Sequence, residues 1–181
     1  MEESINMSSK HLFPNADGLV LKYLKGPISW NPSLSLIPCD KVVFDTRHSP
    51  NLVSIISRGG AGHEPAWYGY VGANMLAVAA SGDIFASPSA RQVKTVIKNT
   101  PSDEGTILVV TNYTEDCLHL GMACEKANAA RYQKGPVAVI NCGDVSVGKK
   151  VNGLVGRRGL PGKLLGERFR EIKLKLELIL V

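Results

Sequence analysis

Three short stretches hold most of the residues in this 181-residue chain that could do chemistry. The first, Arg58-Gly59-Gly60-Ala61-Gly62-His63-Glu64-Pro65, sets a glycine cluster against a histidine and a carboxylate. Gly59, Gly60 and Gly62 can take positive φ and let backbone N–H groups approach a small polar ligand. His63 can give or take a proton near neutral pH; it could equally do no more than bond a backbone carbonyl. The second stretch, Ser81-Gly82-Asp83, offers a hydroxyl and a close backbone approach, although a helix-capping turn would use the same residues. The third is Asn112-Tyr113-Thr114-Glu115-Asp116, where an acid also complements the positive end of a helix. One histidine, one aspartate, several backbone donors and small hydroxyls suit a small polyol or hydroxyketone. A planar or highly charged ligand would want other groups.

Other chemistries lack their residues. The glycine cluster is neither a G-x-G-x-x-G dinucleotide fingerprint nor a P-loop, which needs Gly-Lys-Ser/Thr. Cysteines 39, 117, 124 and 142 contain no C-x-x-C, and histidines 11, 48, 63 and 119 complete no zinc pattern. No metal site and four reduced, mostly buried thiols are expected. Cys117, His119 and Cys124 read as structural or surface residues of the helix beyond the third stretch.

The elements that must position these stretches are legible from periodicity. Residues 41–44 and 51–57 read as strands, the second running straight into the glycine cluster. An apolar run over 75–80 ends at Ser81. A helix starts at Ser87-Pro88-Ser89, with Val93, Val96 and Ile97 on one stripe. Residues 106–110 and 136–140 are continuous apolar strands of the kind buried in parallel sheets, and a helix over about 115–131 joins them. This alternation predicts an α/β fold, a mostly parallel sheet flanked by helices, with three polar loops converging at one sheet edge.

Composition excludes further classes. The chain is 44% hydrophobic and 20% charged, the balance of a globular protein. It has no apolar run of membrane-spanning length, and its acidic start, Met1-Glu2-Glu3-Ser4, is unlike a signal peptide; a cytoplasmic protein is expected. The net charge of +5 belongs to one end: residues 1–148 balance to −1 and residues 149–181 to +6. A nucleic-acid binder would carry its basic patch on the folded body, so nucleic acid is not an expected partner.

Taken together and in order, three strings resemble successive signatures of the dihydroxyacetone (glycerone) kinase family. They are Gly59 to Ala66 with its Gly-His-Glu-Pro, Ser81 to Pro88 with its Gly-Asp-x-Phe-Ala-Ser-Pro, and Asn112 to Asp116. The resemblance runs from about Leu12 to Gly162. Thr111 and the string Gly156-Arg157-Arg158-Gly159-Leu160 resemble the eukaryotic, fungal single-chain kinases more than the bacterial ones. It implies the first subdomain of the family's substrate-binding domain and phosphoryl transfer from ATP to dihydroxyacetone, with glyceraldehyde as a further substrate. It implies that His63 and Asp116 act as acid/base groups. Gly59, Gly60, Ser81, Gly82 and Thr111 would contact the substrate. In the family a later histidine holds the ketone as a hemiaminal, and a separate helical domain holds ATP and Mg²⁺, so both parts are needed for transfer.

The departures carry expectations of their own. Arg58 stands where many members have glycine, Ala61 where many have serine, and Thr111 where bacterial members have lysine, departures that could retune substrate contacts. None of the four histidines follows the third motif far enough to be the hemiaminal one. The chain is therefore expected to bind no cofactor and to be inactive alone. The alternative is a binding or regulatory module that forms a homodimer or pairs with a full-length kinase. Residues 1–38 read as a peripheral arm containing one short helix and 39–162 as the partial kinase domain. Residues 163–181 read as a divergent tail outside the core, with Ile172, Leu174, Leu176 and Leu178 alternating as in a strand.

Overall fold

The computed structural model describes residues 12, 13, 15–143, 159, 160, 162 and 163. The alternation expected at 172–178 lies outside these residues. Three helices, α1 (Leu19–Trp30), α2 (Ala90–Asn99) and α3 (Thr114–Ala129), flank six strands. The strands are β1 (Leu34–Ile37), β2 (Val42–Asp45), β3 (Ser54–Ala61), β4 (Val78–Ile84), β5 (Thr106–Thr111) and β6 (Val137–Cys142). They form one sheet in the order β1-β2-β4-β3-β5-β6. β4, β3, β5 and β6 run parallel, and β1 and β2 are added antiparallel at one edge. The sheet is thus mixed, with the expected parallel part at its centre.

Side-chain alternation along the strands makes two cores. In β2, Val42 faces one cluster and Val43 the other; in β4, Val78 and Ala80 face the first and Ala79 the second. The first cluster receives the Val93, Val96 and Ile97 stripe of α2 and Leu120, Cys124 and Ala127 of α3. Burial pushes the Cys124 thiol pKa up, as an inert core thiol requires. The second cluster takes Val20 and Leu24 of α1, one turn apart, with Ala66, Trp67, Val71 and Leu76 from the β3–β4 connection. β5, buried along its whole length, is sandwiched between strands on both sides.

Two differences from the sequence expectation matter. The segment read as a peripheral arm supplies α1 to the second core and β1 to the sheet, because Val20, Leu24 and Leu34 have apolar partners there. Strand β3 also continues through the glycine cluster to Ala61, so Gly59 and Gly60 are strand residues rather than a turn. Among the described residues no helix is long and apolar enough to cross a membrane.

Candidate functional site

The parallel arrangement of β3, β4 and β5 carries the segments that follow them to one edge of the sheet. A cavity of about 710 Å³ opens there, lined by Gly59, Gly60 and His63 from the end of β3 and Phe85, Ala86 and Ser87 after β4. Thr111, Tyr113 and Asp116 close it from the β5–α3 side, and Trp67 and Leu160 complete the wall. Five expected residues therefore meet: Gly59, Gly60, His63, Thr111 and Asp116. Ser81 and Gly82 do not line the cavity. Ser81 is buried in β4, where its N–H donates to the Lys41 carbonyl at 3.0 Å and its own carbonyl accepts from Gln92 Nε2 at 3.0 Å.

The glycines serve close packing more than unusual dihedrals. A Cβ on Gly59 would fall 2.0 Å from Nε1 of Trp67, whose indole lies against the strand. A Cβ on Gly82 would fall 1.9 Å from the Ala86 carbonyl oxygen, so Gly82 lets the loop after β4 fold back beside the site. Only Gly62, at φ 115°, needs the conformation expected for the cluster. Its N–H donates to Glu64 Oε2 at 2.8 Å.

His63, just beyond, stands edge-on to Phe85 with ring centroids 5.7 Å apart and to Trp67 at 6.2 Å. Among the described residues no group hydrogen-bonds its ring, which disfavours a purely structural histidine. Phe85 is exposed and sits at φ 52°, a left-handed conformation costly for a bulky residue. It is held there by its N–H bond to the Ala61 carbonyl at 2.8 Å. On the far side of the β3–β4 connection, the Tyr23 and Tyr68 hydroxyls share a hydrogen bond that ties the connection to α1. Burial, with this bond second, raises the Tyr23 pKa, so the phenol stays protonated.

Asp116 is buried and engaged on Oδ1. Ser87 Oγ donates to it at 2.7 Å and the Arg58 guanidinium lies 3.3 Å away. Arg58 entered the sequence reading as a departure able to retune substrate contacts, not as a partner of Asp116; Trp67, Phe85, Ser87, Tyr113 and Leu160 were not among the expected site residues. Lys163 is a further correction. Placed outside the core by the sequence reading, it is fully buried, at 0% exposure. Its Nζ donates to the Arg58 carbonyl at 2.6 Å and sits 3.5 Å from the Trp67 ring centre. Among the described residues no group of three or more His, Cys, Asp or Glu could hold a metal ion.

A mixed α/β sheet with an acid and a histidine converging over its parallel strand ends is the frame of a small-molecule site. The Dak1 domain family model matches residues 25–170, which includes every one of the site's lining residues. The chain belongs to this family. The dihydroxyacetone kinase of Pichia angusta is 47% identical over 160 residues, covering 88% of this chain and 26% of the relative. The crystal structure of the Citrobacter freundii dihydroxyacetone kinase with AMP-PNP and Mg²⁺ superposes with a TM-score of 0.80. It is 34% identical over 96% of this chain and 33% of that one. The dihydroxyacetone kinase operon co-activator DhaQ gives a TM-score of 0.69 at 29% identity, over 81% of this chain and 44% of that one. The chain thus spans about a quarter to a third of the kinases it matches. The family match also runs eight residues past Gly162, in keeping with the buried Lys163.

Proposed function

We propose that the cavity binds dihydroxyacetone, and that the chain is the substrate-holding part of a kinase that phosphorylates it from ATP. The observation that carries this reading is the meeting of His63, Asp116, Thr111 and the Gly59-Gly60 backbone around one cavity. A neutral triose needs hydrogen-bond partners for its carbonyl and two hydroxyls, and these groups supply donors and acceptors without an uncompensated charge. His63 would exchange a proton with the bound ketone, and Asp116 would accept the hydrogen bond of the reacting hydroxyl. Glyceraldehyde presents similar groups and is a second substrate in this reading. ATP and Mg²⁺ would come from outside these 181 residues, in the cytoplasm. Ser81 and Gly82 would act indirectly, by shaping the loop that carries Ser87.

The test is a chimera in which residues 25–170 replace the matching segment of the Pichia angusta kinase. ATP-dependent formation of dihydroxyacetone phosphate is expected. A chimera that folds but forms none would refute the kinase reading. The DhaQ likeness favours a second reading, a non-catalytic module that senses the ligand or pairs with a longer kinase or a second copy. That reading gains if the chimera binds dihydroxyacetone without turning it over.

A further inference from the structure

Arg58 belongs to β3, yet its side chain, 2% exposed, reaches two other elements beneath the cavity. Nη1 donates to the Pro88 carbonyl on the loop after β4. Nη2 donates to the Asp116 backbone carbonyl at 3.1 Å and lies 3.3 Å from Asp116 Oδ1, in the first turn of α3. The same Oδ1 accepts from Ser87 Oγ at 2.7 Å. One guanidinium therefore joins three elements whose ends form the site, and a hydroxyl donor and a cation from different elements hold the Asp116 carboxylate.

Charge gives this arrangement its reason. A carboxylate taken out of water needs a compensating charge. An uncharged ligand brings none, so the protein must provide the cation. Arginine can do so while its planar fork bonds two carbonyls, which a lysine ammonium cannot match in geometry. We propose that Arg58 is a positioning residue for ligand binding, acting through Asp116: it neutralises the carboxylate and holds it where a ligand hydroxyl meets it. The inference rests on the reading of the cavity as a dihydroxyacetone site and adds Arg58 to the residues that shape it.

The test uses the full 181-residue chain with Arg58→Met, Arg58→Lys, Asp116→Asn and the Arg58→Met/Asp116→Asn pair. Calorimetry gives the Kd for dihydroxyacetone, and melting temperatures are followed in parallel. Arg58→Met is expected to weaken binding about tenfold or more, as removal of one partner of a buried charge pair does. Arg58→Lys should recover part of that loss. In the Asp116→Asn background Arg58→Met should cost no more than about twofold, because the two residues act as one unit. An unchanged Kd in Arg58→Met, or losses that simply add in the pair, would overturn the proposal. Should Arg58→Met fail to fold, a wild-type Kd in Arg58→Lys would overturn it instead. If the unaltered chain binds no dihydroxyacetone, the cavity reading fails, and the ¹³C resonance of the Asp116 carboxyl then judges Arg58 alone. It should move in Arg58→Lys and stay in Arg47→Lys, a substitution at a half-exposed ion pair with Asp45; no movement in Arg58→Lys rejects the positioning role.

Discussion

His63 follows a backbone that Gly62 turns and its ring stands edge-on to Phe85 and Trp67. Such a side chain contributes little to stability, so its removal separates chemistry from folding. In the kinase chimera, His63→Ala is expected to lower kcat by about 10²–10⁴-fold, the usual worth of a general acid or base, with the melting temperature nearly unchanged. Steady-state rates on dihydroxyacetone check this, and a chimera that keeps its full rate would remove His63 from the chemistry. Gly59 makes the opposite case. Gly59→Ala would drive a methyl into the Trp67 indole, 2.0 Å away, and is expected to cost about 1–3 kcal/mol in urea unfolding, as overpacking does. The sequence marked both residues through one glycine-rich string. It could not give the reason for Gly59, because the indole it packs against is recruited by folding from eight residues downstream.

Among the elements, the start of α2 was readable almost to the residue. Ser89 accepts from the Gln92 N–H at 3.4 Å and Gln92 Oε1 accepts from the Ser89 N–H at 2.8 Å, a capping box written in local sequence. Ser89→Ala should destabilise the chain by about 1 kcal/mol, read by chemical denaturation. The place of Lys163 was not readable. The end of the resemblance at Gly162 and the basic balance of residues 149–181 suggested a tail outside the core from Lys163 onward, yet Lys163 is buried against Trp67. A buried ammonium that finds a carbonyl and an aromatic face leaves no periodic signal. A chain ending at Gly162 is therefore expected to melt several degrees lower than the full chain, corresponding to a loss of about 1 kcal/mol or more. An equal or higher melting temperature would show that Lys163 is dispensable. Helix α1 was foreseen only as a short helix in an arm, since Pro27 within it blurs the pattern that Val20 and Leu24 begin.

At the scale of the molecule, strand order is what gathers the site. β3 lies between β4 and β5, all three parallel, so segments separated by up to about fifty residues end side by side. The alternation of strands and helices in the sequence implied that convergence; the antiparallel edge of β1 and β2 it did not, because short strands with mixed neighbours carry little period. The account stands on the claim that the cavity over these strand ends holds dihydroxyacetone. The most direct measurement is a titration of the ¹⁵N-labelled 181-residue chain with dihydroxyacetone, followed by amide resonances. Saturable shifts are expected for the amides of Gly60, His63, Ser87 and Tyr113, with those of the distant β1 edge and Trp30 unmoved. Shifts absent at saturating ketone, or confined to residues away from the cavity, would contradict the claim.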